Sequence, residues 1–287
     1  DNLKEYHQLY DIYNNYEGIN NIKTINDNAG IKPVKVDKRI IDLLNFSIEL
    51  YEETGGKTNI AFGAVLKVWH EYRTNGIENP ENATLPPDDL LLSASEHTNI
   101  EDIIIDEENS TIFLKDPMMS LDVGAIAKGY ATEQVSKIVE DSGMTSGLLS
   151  VGGNIRAVNN NVTTDAPWNV GIQNPDPEAE QSVLEVVKLD DKSLVTSGDY
   201  ERYYIVDGEK YNHIIDSDTL YPSILFTAVS IICEDSGRAD ALSTAIFCLP
   251  FEEGLELINS MPNTEAMWIF TDKTVKYSEN FESLIKH

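Results

Sequence analysis

The stretch Leu148-Leu-Ser-Val-Gly-Gly-Asn-Ile-Arg-Ala-Val158 decides the fold class, because it is the first of five strand-like runs in the second half of the chain. The other four lie at residues 168–173, 183–189, 202–206 and 228–233, and short turns such as Asp207-Gly208 join several of them. No regular series of helices separates the runs, as a parallel doubly wound sheet would require. The sequence therefore predicts an α+β fold.

Helices and a hairpin are predicted around this strand-rich region from periodicity and turn residues. Apolar residues at three- and four-residue spacings from Leu3 to Tyr13 indicate a first helix. Asp37 is an N-cap for a second helix that ends at Gly55-Gly56, and Asp122 can cap a third that ends at Gly143. The remaining predictions are a hairpin over 103–114, a surface loop over 75–89, helices over 238–249 and 251–259, and a final strand over 267–271.

The chain is strongly acidic. Among its 287 residues, 21 Lys and Arg stand against 49 Asp and Glu, which gives a formal net charge of −28. This balance argues against nucleic acid as a partner, because affinity for a phosphate backbone comes largely from cationic side chains. A phosphorylated ligand would have to be neutralised locally by a metal ion, backbone amides or a few lysines. The two cysteines, Cys233 and Cys248, have no metal-ligating spacing and are expected to be buried thiols.

Two glycine-rich segments can approach a ligand closely. Leu121-Asp-Val-Gly-Ala-Ile-Ala-Lys-Gly-Tyr130 combines a turn, a helix N-terminus and Lys128, which suits either an anion or tight helix packing. Ser150-Val-Gly-Gly-Asn-Ile155 places Gly152 and Gly153 inside a strand-like run, which indicates either a bulge or the close approach of a ligand. The residues alone leave both alternatives open for each segment.

Two further segments carry side chains suited to proton transfer and to metal binding. Thr196-Ser-Gly-Asp-Tyr200 is followed by Tyr211-Asn-His-Ile-Ile-Asp216, in which His213 lies three residues before a carboxylate. A histidine held by Asp216 can act as a general base, and a structural hydrogen bond is the alternative. Asp240 and Thr244, four residues apart, share one helix face and suit Mg²⁺, whereas the alternative is an N-capping Asp with a back-bonding Thr.

Taken in this order, the four segments resemble those of the ApbE-type FAD:protein FMN transferases. That family carries an LDxGxIAKGYA-like segment, a Gly-Gly strand, a TSGxYxRxx segment leading into HIIDPxTGYP-like residues, and an ADAxxTA helix. The matching residues here are 121–131, Gly152-Gly153, 196–203 with 213–222, and 239–245, and residues 59–69 are similar to the family's GPLxxxW region. The resemblance extends over nearly the whole chain from about Leu9 onward.

The resemblance implies one ApbE-like domain over residues 1–287, in which antiparallel sheets pack with helices in a T-fold-related arrangement. A flavin site in a cleft between two lobes is expected. The implied activity is the Mg²⁺-dependent transfer of the FMN moiety of FAD to a Thr or Ser hydroxyl of an acceptor protein, with release of AMP. Such phosphoryl transfer needs charge neutralisation, in-line positioning and a deprotonated nucleophile. FAD is then the substrate and Mg²⁺ the cofactor.

The resemblance also implies roles for the matching residues. His213, oriented by Asp216, is the expected general base, with Asp216 itself as the rival candidate. Asp240 and Thr244 are expected to hold Mg²⁺ through side-chain oxygens, with the Ala125 carbonyl as a third ligand. The residues expected to contact the phosphates or the flavin are Lys128, Gly152, Gly153, Thr196, Ser197, Gly198, His213 and Ile214.

Three positions depart from the family's pattern. Ser217 and Leu220 stand where Pro and Gly are usual, and Asn154 stands where an acidic residue is common. A leucine at position 220 would be strained if its backbone had a positive φ, which glycine tolerates. The loop after Asp216 is therefore where this chain is expected to differ from the family.

Two other functions would use the same residues. With water as the acceptor, the protein would be a metal-dependent FAD pyrophosphatase that yields FMN and AMP, and without catalysis it would be an FAD-binding module. The family suggests a flavoprotein subunit of a membrane redox complex as the acceptor. Related proteins generally act outside the cytoplasm, tethered by a lipid on an N-terminal Cys. The resemblance, together with a chain that starts at Asp1 rather than Met, therefore implies an extracytoplasmic, lipid-anchored location.

Overall fold

The computed structural model describes residues 1–286, and each pair of named strands among them is antiparallel. The helices are α1 (Asn2–Tyr10), α2 (Ile22–Asn26), α3 (Lys38–Glu53), α4 (Gly63–Glu78), α5 (Asp88–Ser95), α6 (Ala127–Asp141), α7 (Ser236–Phe247) and α8 (Phe251–Ser260). The strands are β1 (Val34–Lys35), β2 (Ile103–Asp106), β3 (Thr111–Leu114), β4 (Gly147–Val151), β5 (Asn154–Val158), β6 (Trp168–Gln173), β7 (Val183–Leu189), β8 (Ser193–Gly198), β9 (Tyr203–Val206), β10 (Glu209–Asn212), β11 (Phe226–Cys233), β12 (Glu265–Phe270) and β13 (Val275–Tyr277). The predicted α+β class is confirmed.

The first of two compact units consists of residues 1–127 and 202–222. It contains α1 to α5, a three-stranded sheet in the order β1-β3-β2, and the hairpin β9–β10. One of its hydrophobic clusters joins Val65 and Trp69 of α4 to Tyr204 and Val206 of β9 and to Ile215. The segment that carries His213 and Asp216 is thus packed against helix α4 through this cluster.

The second unit consists of residues 128–201 and the chain from Ser223 onward. Its main sheet has six strands in the order β13-β12-β11-β8-β5-β4, and β6 and β7 form a separate pair. Helix α7 packs on β8 and β11, and nearly all of its residues are buried. On the β6–β7 pair, Val170 and Val187 join Leu194, Met267 and Phe281 in a second hydrophobic cluster. The sheet thus holds α7 as a buried helix, which is where Asp240 lies.

The local sequence signals are confirmed where the partners are neighbours in the chain. Asp37 accepts a hydrogen bond from the Arg39 amide and caps α3, and the predicted hairpin over 103–114 is β2–β3. The helix predicted after Asp122 begins five residues later, because the Asp122 side chain accepts from the Gly124 amide at 2.8 Å and closes a turn first.

The surface loop predicted over residues 75–89 is wrong at both ends. Helix α4 continues to Glu78, and α5 begins at Asp88 directly after two prolines. Proline suits the start of a helix, because its φ is already fixed near the helical value and because the amide hydrogen that it lacks would have no partner within the helix there. None of the described helices combines the length and the apolar composition that crossing a membrane requires.

Candidate active site

Asp240 lies in the second turn of α7 with only 3% of its surface exposed. The helix is capped by Asp235, whose side chain accepts a hydrogen bond from the Arg238 amide at 2.9 Å. The alternative that Asp240 is an N-cap is therefore wrong. Thr244 lies one turn further on, with its Oγ1 3.4 Å from the Asp240 carbonyl oxygen, so the back-bonding contact left open by the spacing is present.

Two groups of α6 hold the Asp240 carboxylate. The Gly129 amide donates to Oδ2 at 2.8 Å, and the Lys128 ammonium lies 3.1 Å from Oδ1. The lysine side chain is 39% exposed, whereas that of Asp240 is 5% exposed. A buried carboxylate requires donors, and here one donor is fixed in a helix while the other can move into solvent. Asp240 is thus held in place without being permanently neutralised.

Gly152 and Gly153 form the turn between β4 and β5. Their φ angles are 55° and 91°, and Val151 pairs with Asn154 across them, as in a two-residue hairpin turn. The bulge alternative is therefore wrong. A Cβ on Gly152 would lie 3.5 Å from Cδ of Lys128, and the Asn154 Oδ1 is 3.3 Å from its ammonium. The turn thus lies directly against Lys128, while contact of its amides with a phosphate or flavin stays a prediction.

The donors around Asp240 fit a magnesium ion. No group of three His, Cys, Asp or Glu side chains in residues 1–286 can hold a metal ion. Mg²⁺ nevertheless binds proteins through one or two carboxylates and completes its octahedron with water and phosphate oxygens. The Asp240 carboxylate and Thr244 hydroxyl are hard oxygen donors of this kind, and the Lys128 ammonium shows that a cation is accommodated at Oδ1. Metal binding by these residues stays a prediction.

Strand β8 carries Thr196, Ser197 and Gly198. Thr196 Oγ1 is 2.7 Å from the Ser230 hydroxyl of β11, and Ser197 Oγ is 2.8 Å from the Ser243 hydroxyl of α7. Because neighbouring side chains of a strand point to opposite faces, those of Thr196 and Ser197 cannot both enter one pocket. A Cβ on Gly198 would lie 2.5 Å from the Tyr200 ring, so the absence of a side chain at residue 198 leaves the space that this ring occupies. A flavin contact of the three residues stays a prediction.

His213 follows β10 in the first unit and is oriented by a backbone carbonyl. The β9–β10 register pairs Tyr203 with Asn212, which places Arg202 beside His213 at the open end of the hairpin. His213 Nδ1 lies 3.1 Å from the Arg202 carbonyl oxygen. A carbonyl only accepts, so Nδ1 carries the proton in the neutral ring and Nε2 carries the lone pair. This tautomer is the one that a general base acting through Nε2 requires.

Asp216 does not orient His213, which corrects that part of the prediction. Its Oδ1 accepts from the Lys57 ammonium at 2.6 Å and from the Asp218 amide at 3.2 Å. Burial opposes the charge of Lys57, but the hydrogen bonds to Asp216 and Asp218 raise its pKa above the ordinary value. Asp216 is therefore one member of an ion pair that closes the loop of residues 215–222, a role that disfavours it as a rival base.

Leu220 has a φ of 62°, which is the positive φ at which a leucine was expected to be strained. Its amide donates to the Asp216 carbonyl at 2.8 Å, and its own carbonyl accepts from Nε1 of Trp69 at 2.8 Å. Its side chain packs against the cluster around Trp69. These contacts over-determine a left-handed backbone that glycine would adopt without strain.

Ala125 and Ile214 complete the predicted set. Ala125 lies in the turn directly before α6 and is half-buried, and its carbonyl as a metal ligand stays a prediction. Ile214 is 6% exposed, and its amide donates to the Asn212 side chain at 2.8 Å. Its side chain is buried, and a ligand contact by this residue stays a prediction.

Sequence reasoning assigned no role to Lys57 or Glu133. Lys57 follows the two glycines that end α3, and its partner Asp216 is 159 residues away. Glu133 stands on α6 and accepts from the Ser236 amide, 103 residues away. No local periodicity signals either contact. The composition offered a weak hint for Lys57, because a lysine in so acidic a chain has many available partners.

The comparisons with known proteins agree on one family. The chain matches the ApbE family over residues 1–268. It is 34% identical to the FAD:protein FMN transferase of Treponema pallidum (strain Nichols), over 90% of this chain and 72% of that protein. It is 28% identical to an FAD:protein FMN transferase of Klebsiella pneumoniae (strain 342), over 88% and 76% of the two chains. The crystal structure of the ApbE protein of Thermotoga maritima superposes with a TM-score of 0.86 at 27% identity, covering 100% of this chain and 89% of that one.

Proposed function

Because this chain belongs to the ApbE family, we propose that it is an FAD:protein FMN transferase, an enzyme that moves the FMN moiety of FAD onto an acceptor protein. The observation that carries the proposal is the Asp240 carboxylate. It is 3% exposed, accepts a hydrogen bond from the Gly129 amide, and forms an ion pair with the Lys128 ammonium, whose side chain is 39% exposed and can leave it. Such a carboxylate is suited to bind a cation that arrives with the substrate.

We propose that Asp240 and Thr244 hold Mg²⁺ against the FAD pyrophosphate. The ion would neutralise phosphate charge that develops as the bond breaks. Lys128 then loses its carboxylate partner, and its ammonium donates to a phosphate oxygen instead. This exchange explains how a chain with a net charge of −28 can bind a dianionic group, since the required positive charge is supplied locally.

His213 acts as the general base in this scheme. The hydroxyl of the acceptor Thr or Ser gives its proton to Nε2, and its oxygen forms a bond to the phosphorus of the FMN moiety. The phosphorus–oxygen bond to the AMP moiety breaks, and AMP leaves with that bridging oxygen. The Arg202 carbonyl keeps Nδ1 protonated throughout, so the ring accepts the proton at Nε2 only.

The experiment that tests the proposal is incubation with FAD, Mg²⁺ and a candidate acceptor flavoprotein subunit. We expect flavin fluorescence on the acceptor band of a denaturing gel and an equal amount of AMP by chromatography. The matched control is the acceptor with its flavinylated Thr changed to Val. Free FMN without labelling would instead indicate the pyrophosphatase, and FAD recovered intact would indicate a binding module.

We propose further that the acceptor is a flavoprotein subunit of a membrane redox complex, and that the protein works outside the cytoplasm on a lipid anchor. Both proposals rest on the family resemblance. Fractionation of the native host, with detection by antibody, tests the second. We expect the protein in the membrane fraction and accessible to protease added outside the cytoplasmic membrane. Recovery in the cytosol would contradict the proposed location.

A further inference from the structure

Helices α6 and α7 approach each other without room for a side chain at the contact. A Cβ on Gly129 would lie 2.1 Å from the Ser236 carbonyl oxygen and 2.6 Å from Cβ of Asp240. Real Cβ atoms do not approach a backbone oxygen so closely, so a side chain at this position would force the helices apart. The distance between the two helices is therefore set at Gly129, directly beside Asp240.

On each of the two helices, a carboxylate accepts a hydrogen bond from a backbone amide near the N-terminus of the other helix. The Gly129 amide of α6 donates to Asp240 of α7 at 2.8 Å, and the Ser236 amide of α7 donates to Glu133 of α6 at 3.0 Å. Both amides lie in the first turn of their helices, where no partner exists within the helix. The carboxylates lie four residues beyond them, one turn along the same helix face. Two contacts separated by one turn fix rotation as well as distance.

Burying the charged Glu133 side chain at this contact costs free energy. Its side chain is 5% exposed, and burial together with the nearby Asp235 raises its pKa. Arg156 offsets part of this cost, because its Nε lies 3.1 Å from Oε2 of Glu133. The Nη1 of Arg156 in turn lies 2.9 Å from Oδ1 of Asp191. A buried ion pair is weak support for stability compared with apolar packing, so it is better explained by the geometry that it imposes.

We propose that Glu133 is a positioning residue for Asp240, which sets the rotation of α7 so that the Asp240 carboxylate points toward the cation it binds. The proposal rests on the proposed function, because it concerns the same carboxylate. It assigns the effect to the oxygen that accepts from the Ser236 amide and not to the charge of Glu133. Two conservative variants separate these two properties.

The variant Glu133→Asp keeps the charge beside Arg156 but withdraws the oxygen from the Ser236 amide by one methylene. The variant Glu133→Gln keeps an oxygen at the same reach and removes the charge. Binding of ADP, which carries the pyrophosphate without being cleaved as FAD is, would be measured by calorimetry over a series of Mg²⁺ concentrations. Loss of an outer partner of a metal ligand typically weakens metal affinity about 10- to 100-fold. We therefore expect Glu133→Asp to raise the half-saturating Mg²⁺ concentration about tenfold.

For Glu133→Gln, we expect a half-saturating Mg²⁺ concentration within about threefold of the unmodified protein, because the oxygen is retained. The matched control is Glu265→Asp, which shortens another carboxylate of the second unit that accepts a backbone amide, that of Asn280 at 3.1 Å. We expect the control to lower the melting temperature without changing the Mg²⁺ dependence. The melting temperature of each variant shows that it is folded.

Three outcomes would overturn the inference. They are an unchanged Mg²⁺ dependence in Glu133→Asp, a larger shift in Glu133→Gln than in Glu133→Asp, and an equal shift in Glu265→Asp. Failure of the proposed function has a different signature, since ADP binding by the unmodified protein would then not depend on Mg²⁺. The two failures are therefore distinguished by the first titration of the series.

Discussion

Two lysine–aspartate pairs lie in two of the candidate site segments, and they differ in which partner faces solvent. In the second unit, the lysine of Lys128–Asp240 is 39% exposed and the aspartate is 5% exposed. In the first unit, the lysine of Lys57–Asp216 is 9% exposed and the aspartate is 14% exposed. The Asp240 pair is 3.1 Å long and the Asp216 pair 2.6 Å. The two pairs have the same composition but not the same freedom.

The difference teaches which carboxylate is available to a ligand. Lys128 can withdraw into water while Asp240 keeps the Gly129 amide as a donor, so the carboxylate stays in place when its cation changes. The Lys57 side chain is only 9% exposed and bonds two aspartates, so its withdrawal would leave Asp216 without its main donor. Removing one partner of a buried pair is destabilising, because it leaves an uncompensated charge. The first pair is therefore suited to chemistry and the second to holding a loop.

The largest expected effect separates the two aspartates. Asp240→Asn should lower the rate of FMN transfer about 10³-fold, because the loss of several kcal/mol of metal-supplied charge stabilisation corresponds to this factor. Asp216→Asn, measured below its melting temperature, should lower the rate less than about tenfold. The measurement is AMP release at saturating FAD. Equal losses in the two variants would show that both pairs serve the chemistry.

His213 sharpens the comparison, because it lies three residues from Asp216 without being oriented by it. We expect His213→Gln to lower the rate about 10²- to 10⁴-fold, the range for a general base, while FAD affinity stays within about twofold. If Asp216 were the base instead, Asp216→Asn would lose more activity than His213→Gln. The test is therefore the ratio of the two rates under the same conditions.

For the free energy of unfolding, in contrast to the rate, we expect the larger effect at the Lys57–Asp216 pair and the smaller one at the Lys128–Asp240 pair. Lys57→Met leaves Asp216 without its cation, and we expect the free energy of unfolding to fall by about 3 kcal/mol. For Lys128→Met we expect a loss of about 1 kcal/mol or less, since Asp240 keeps the Gly129 amide. Urea unfolding at pH 7 measures both. A larger loss in Lys128→Met would show that the exposed pair is the structural one.

The pH dependence of Lys57 gives the same prediction a second readout. The pKa of Lys57 is raised in the folded protein, because its hydrogen bonds to Asp216 and Asp218 outweigh burial. A raised lysine pKa contributes stability that is fully present below the ordinary value of 10.5 and is lost as the pH rises through the folded value. The difference in the free energy of unfolding between Lys57→Met and the unmodified protein should therefore stay constant from neutral pH up to pH 10.5 and narrow above it.

The sequence identified Asp240 and Asp216 but not what distinguishes them. Residue type and spacing sufficed for the caps and hairpins, such as Asp37 and the Asp207-Gly208 turn, because the partners are adjacent in the chain. Two consecutive glycines suit a bulge and a tight turn alike, so the turn at Gly152 needed the strand register to be recognised. The Lys57 contact spans 159 residues, and only the packed fold brings its partners together.

The family resemblance proposed site residues that periodicity could not, because it matches motifs that lie far apart in the sequence. The structure distributes these motifs over two compact units. It also corrected the partner of Asp216, because a three-residue spacing from His213 is compatible with contact but does not require it. Sequence patterns restrict the residue types that can act, and the hydrogen-bond partners then decide the role of each.

The smallest expected effect concerns Leu220, which belongs to the loop that the Lys57–Asp216 pair closes. Leu220→Gly relieves a left-handed backbone but loses packing against the Trp69 cluster, so its stability should stay within about 1 kcal/mol of the unmodified protein. Leu220→Ala loses nearly the same packing and keeps the strain. Gly should therefore be more stable than Ala by about 1 kcal/mol, measured by urea unfolding. If Ala were the more stable variant, the positive φ at residue 220 would not carry a strain.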